Sequence, residues 1–135
     1  MVMLPSDTTV SLEQVEAKLR STLGAPLKKP GGESSRQAVE VFREGNQLTL
    51  FVNDWSLYIW ADSSPTVLEE TQGIVELFGQ ERSDQAVLST YGFRFDISCD
   101  DDPDQEYFDD YVLVLQAMKE FPGAVLFDPE AESFI

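Results

Sequence analysis

Seven carboxylates fall within eleven residues of this chain: Asp100, Asp101, Asp102, Asp104, Glu106, Asp109 and Asp110. Side chains of this type at this density do one of two kinds of chemistry. They ligate a hard cation, or they attract a positively charged macromolecule. Asp100-x-Asp102-x-Asp104 matches the first three ligand positions of an EF-hand loop. The match stops there, because the position that needs glycine is Gln105 and the position that needs a bidentate glutamate is Tyr111. A calcium or magnesium site of another kind on Asp100, Asp102 and Asp104 stays open, but no metal or cofactor is expected. Without a cation these charges repel one another, and solvent screening or a basic partner must relieve them. The segment, with Tyr107 as an exposed aromatic, is therefore the expected partner-binding surface. A plainer reading stands beside it: the acids over-supply the start of a helix, where the dipole favours negative charge.

Other chemistry is thinly represented. The chain has no histidine and one cysteine, Cys99, so His-based triads, Cys-His dyads, intrachain disulfides and ordinary zinc sites are excluded together. It contains no GxSxG, phosphate loop, dinucleotide fingerprint or HExxH, and any two of its 25 acids would serve equally as a carboxylate pair. The chain reads as non-enzymatic. Cys99 sits in the apolar phase of an alternating segment, which predicts a buried, inert thiol.

Charge carries the same message over the whole length. Nine Lys and Arg against 25 Asp and Glu give a net charge of −16 in 135 residues. Residues 1–38 hold 4 acids and 5 bases, whereas residues 39–135 hold 21 acids and 4 bases. A field of this sign repels nucleic-acid phosphates and anionic lipid and speeds encounter with a basic protein. Acidity also confers solubility by itself. No apolar run approaches a bilayer span, and MVMLPSDTTV lacks the basic start and apolar stretch of a signal peptide, which predicts a cytoplasmic protein.

The elements that must position these groups follow from periodicity. Ser11 with Gln14 forms a capping box, Val10 and Val15 a hydrophobic staple, and Leu12, Val15, Leu19 and Leu23 one face, so a helix is predicted over 11–24 with Gly24 closing it. Residues 25–37 read as a linker to a sheet-containing body over 38–135. In that body, strands are predicted at 39–43, 47–52 and 55–60, separated by Glu44-Gly45-Asn46 and Asn53-Asp54 turns. In the third, Trp55, Leu57 and Ile59 share one face and Ser56, Tyr58 and Trp60 the other. Ordinary sheet packing and an aromatic binding surface both fit the second set. Ser63-Ser64-Pro65 opens a helix to Phe78, capped by Gly79. Alternation from Val87 to Cys99 predicts one long strand, bent at Gly92. A helix then starts near Tyr107, with Phe108, Tyr111, Val112, Leu115 and Met118 on one stripe and Val114, Ala117 and Phe121 extending the apolar character round it, which implies a nearly central position, and it stops at Pro122-Gly123. A short buried strand at 124–127 follows, then an Asp128-Pro129-Glu130 turn and a last strand or tail at 133–135. The expected fold is a single α+β domain, a largely antiparallel sheet of five or six strands with helices packed on one face.

The stretch RFDISCDDDPDQEYFDDYVLVLQAMKEFPGAVLFDPEAESFI has an aromatic strand, an acidic link, a Tyr-Phe-Asp-Asp-Tyr helix and a Phe-Asp-Pro turn. In this layout it resembles small acidic bacterial immunity proteins of polymorphic, contact-delivered toxin systems. The resemblance implies a protein that binds one cognate toxin, often a basic nuclease, and blocks it without catalysis. Contact residues vary among such families, so it transfers no site residue. A DNA-mimic inhibitor of a DNA-binding protein, a small chaperone or adaptor using a wet sheet face with Trp60, and a calcium module are the alternative classes. The oligomeric state is not legible.

Overall fold

A computed structural model describes residues 1–23 and 39–135. The expected linker and the Gly24 cap lie outside the described residues. The described chain runs β1 (Val2–Leu4), α1 (Leu12–Leu23), β2 (Val39–Glu44), β3 (Gln47–Val52), β4 (Trp55–Asp62), α2 (Pro65–Phe78), α3 (Gln85–Leu88), β5 (Phe93–Cys99), α4 (Phe108–Lys119), β6 (Val125–Asp128) and β7 (Ser133–Phe134). The strands form one antiparallel sheet in the order β2-β3-β4-β5-β1-β6-β7, so the fold is a single α+β domain with seven strands where five or six were expected.

The extra strand is β1. It inserts between β5 and β6, pairing Val2 with both Phe95 and Leu126. Three residues are too few for a period to be read, so the sheet reaches outside the expected 38–135 body. The β2–β3 and β3–β4 hairpins form where turn chemistry placed them, with Gly45 at φ 59° and Asn53 at φ 55°, conformations that glycine and asparagine tolerate.

Helix α1 starts as its sequence dictates. The Gln14 amide donates to Ser11 Oγ at 3.3 Å, and the Ser11 amide donates back to Gln14 Oε1 at 3.2 Å. Its buried residues, Leu12, Val15, Leu19 and Leu23, join Val114, Ala117 and Met118 of α4 over one face of the sheet. That face presents Val2, Leu4, Val41, Leu48, Leu50, Val52, Trp55, Leu57, Ile59 and Phe95. Of the apolar residues expected on α4, Val114, Ala117 and Met118 are the buried ones, whereas Phe108 is exposed and Tyr111, Val112 and Leu115 are half-buried.

Helices do not cover one face only. Met3 alternates with Val2 and Leu4, so it points to the opposite side, where it meets Val75 of α2, Leu88 of α3, Tyr91 and Phe127. Two helices therefore pack on each side. The second pair covers β5 and the β1–β6–β7 end, leaving the outer side of β2, β3 and β4 without a helix among the described residues. Gly79 ends α2 by close approach, not by a left-handed turn: its φ is −103°, and a Cβ there would lie 2.9 Å from the Val75 carbonyl oxygen.

The long strand expected from Val87 to Cys99 is half helical turn. Arg82 pairs with Asp84 at 2.8 Å, Ser89 Oγ donates to the Gln85 carbonyl and Thr90 Oγ1 to the Val87 carbonyl. These serine and threonine hydroxyls, which completed the apparent alternation, satisfy carbonyls of a helical turn instead. The packing decides the outcome. A turn brings Leu88 and Tyr91, three residues apart, into the second core together, leaving Val87 62% exposed.

Candidate functional site

The acidic segment begins where β4 and β5 part. The Asp100 amide still donates to the Ser56 carbonyl at 2.9 Å, but the Asp100 carbonyl accepts from Trp55 Nε1 at 3.0 Å. The Ser56 amide thus loses its strand partner and donates to Asp100 Oδ2 at 3.0 Å, while the Tyr58 hydroxyl donates to Oδ1 at 3.2 Å. One carboxylate ends the ladder and steers the chain off the sheet.

Asp102 shapes the next turn. Its two oxygens accept the Glu106 and Tyr107 amides, each at 2.9 Å, and its carbonyl accepts the Gln105 amide, with Gln105 at φ 56°. These bonds take up donors that precede α4, the role an acid has at a helix start. Tyr107, half-buried, stacks on Trp55 and donates its hydroxyl to Asp54 at 2.7 Å. That hydrogen bond raises its phenol pKa above the ordinary range.

The structure therefore divides the expected site residues. Asp100, Asp102 and Tyr107 hold the loop together, whereas Asp101, Asp104, Glu106 and Asp109 are exposed, with no ion-pair partner among the described residues. Asp110 is half-buried on the first turn of α4 beside Asp109. Asp101, Asp102, Asp104 and Glu106 rim a depression of about 200 Å³ whose opposite side is Asp54, Trp55 and Tyr107. Asp100 and Asp102 face different partners, so the three carboxylates of the calcium reading do not converge. Among the described residues no group of three or more acids, cysteines or histidines is placed to hold a metal ion.

Cys99 departs from expectation. It is exposed: it ends β5, beyond the Phe93–Phe95 stretch that β1 flanks. Desolvation, followed by the charges of Asp100, Asp102 and Asp101, pushes its thiol pKa up.

A second surface was only half legible. Tyr58 and Trp60 do lie on the opposite face from Trp55, Leu57 and Ile59, stacked with centroids 5.9 Å apart. Phe42 and Phe51 share that face at 57% and 40% exposure. Their signal was present: each is a large apolar residue in the polar phase of its strand, among Glu40, Glu44, Gln47 and Thr49.

No protein-family model, no characterised protein and no solved structure matches this chain. No helix of the described residues is long and apolar enough to cross a membrane.

Proposed function

We propose that this chain is a non-catalytic acidic binding protein that captures a basic protein, acting as an inhibitor of the immunity type. One observation carries the reading: Asp101, Asp104 and Glu106 project from a loop that Asp100, Asp102 and the Trp55–Tyr107 pair hold in place, and Asp109 from the first turn of α4 beside it, with no ion-pair partner for any of the four among the described residues. A rigid array of one sign steers an oppositely charged partner and loses little side-chain and loop freedom on binding. The basic toxin of the resemblance is the partner class this chemistry suits.

Affinity capture from the source cells at low and high salt, with eluted proteins identified by mass spectrometry, tests it. One stoichiometric basic partner, weakened by salt, supports the inhibitor. A D101K/D104K/E106K variant should then associate more slowly, with the deficit shrinking as salt rises. Unchanged association removes this loop from the interface. A captured DNA-binding protein that the chain displaces from DNA would make it a DNA mimic instead.

A further inference from the structure

The outer face of β2, β3 and β4 is uncovered by any helix of the described residues and is built from four aromatics. Register places Phe42 opposite Thr49 and Thr49 opposite Tyr58, with Phe51 one diagonal step from both Phe42 and Tyr58. Trp60 continues the band along β4, stacked on Tyr58. Between the rings stand only small or neutral groups, Thr49, Gln47 and Ser56.

The border of this band is acidic. Glu40 and Glu44 flank Phe42 on β2, and Asp96 lies directly opposite Trp60, with Asp62 two residues beyond on β4. The strands contribute one base to this face, Arg94, and it is already held by Glu70, Asp96 and Asp62. The face thus combines exposed π surface with carboxylates that, among the described residues, have no cation of their own at the β2 side. A second copy of the chain is a poor occupant, since it would press two acidic rims together in a protein of net charge −16.

A guanidinium satisfies both features at once. Its plane stacks on an aromatic ring while its edge donates to a carboxylate, and it is more weakly hydrated than an ammonium. We propose that this face docks an arginine-bearing polypeptide segment of a protein partner, with Phe42, Phe51, Tyr58 and Trp60 as the stacking platform and Glu40 and Glu44 as the ion-pairing rim. The inference shares only the sign of the partner's charge with the function proposed above, and it places the contact on a different surface.

The test uses the isolated full chain and a short uncharged-end peptide alternating arginine and glycine, against its lysine counterpart. Amide shifts in two-dimensional NMR, with tryptophan fluorescence, report the location and affinity. The expected result is saturable shifts on Phe42, Phe51, Tyr58 and Trp60 and about fivefold tighter binding of the arginine peptide. An F42S/F51S variant, altered only at exposed positions, should keep the fold and lose that preference. A D101K/D104K/E106K variant should retain it, so failure of the acidic loop and failure of this face are told apart. Equal affinity for both peptides, or shifts confined to residues 101–109, overturns the proposal. Concentration-dependent dimerisation through the face would assign it to a second copy. Tighter peptide binding in a K28S/K29S/R36S variant would assign it to the chain's own basic segment. Either result overturns the proposal.

Discussion

Tyr107 lies flat on Trp55, with ring centroids 5.2 Å apart and planes 7° from parallel. The tyrosine stands at the start of α4 and the tryptophan at the start of β4, so the pair clamps the acidic loop between helix and sheet. Trp55 is buried and serves as the fixed partner.

Removing the ring should loosen the loop without unfolding the core. Tyr107→Ala is expected to lower Tm by roughly a few degrees and to diminish the near-ultraviolet circular dichroism of the stacked pair. Tyr107→Phe should keep that signal, because the stack survives and only the bond to Asp54 is lost. Identical spectra for Ala and wild type would mean the stack does not order the loop.

Stability and charge should separate along the acidic run. Asp100→Asn removes the charged acceptor of the Ser56 amide and Tyr58 hydroxyl and should cost about 1–3 kcal/mol in urea denaturation. Asp102→Ala, which orphans two amides at the helix start, should cost about 1 kcal/mol. Asp101→Asn and Asp104→Asn, at exposed positions, should leave stability within about 0.5 kcal/mol.

Cys99 should be accessible yet slow. Burial raises its pKa first, and Asp100, Asp102 and Asp101 raise it further, so alkylation by iodoacetamide near neutral pH is expected to lag a free thiol and accelerate as pH rises. Salt should recover part of the lag, since it screens the charges and leaves desolvation intact. The linked stability runs accordingly. A folded pKa above the unfolded one contributes stability that is complete below the unfolded value and is lost as pH climbs through the folded one. A rate equal to that of free cysteine would show that neither influence operates.

Thr71 is the buried polar residue of α2, and its Oγ1 has no hydrogen-bond partner among the described residues. Thr71→Val keeps the shape and removes the unpaired hydroxyl. It should raise unfolding stability by about 1 kcal/mol. A loss of stability would mean the hydroxyl is satisfied in solution.

Helix α1 and the two hairpins were legible because their signals are local: a capping box four residues long, and turn residues between short alternating strands. The region from Val87 to Thr90 misled because its alternation is equally compatible with a helical turn, and only Met3 and Phe127, distant in sequence, make the turn the better burial for Leu88 and Tyr91. The acidic segment announced itself by composition, but composition does not tell a carboxylate that holds a loop from one that projects. That distinction depends on Ser56, Tyr58 and Trp55, which lie some 45 residues away. The exposure of Cys99 was hidden likewise, since alternation assigns a side and says nothing of where cover on that side ends.

The three residues of β1 also bear on the order in which the molecule is made. Met1 bonds Phe127 across 126 positions of sequence, and the strand that follows it seals β5 to β6. The β2–β3–β4 block can assemble from near neighbours through two-residue turns, whereas the seam must wait until both of its distant partners exist. Closing so long a loop costs entropy before any contact rewards it. The rate-limiting event of folding is therefore expected to be the capture of this short strand. Changes to Val2, Met3 or Leu4 should slow refolding more than comparable changes in the hairpins.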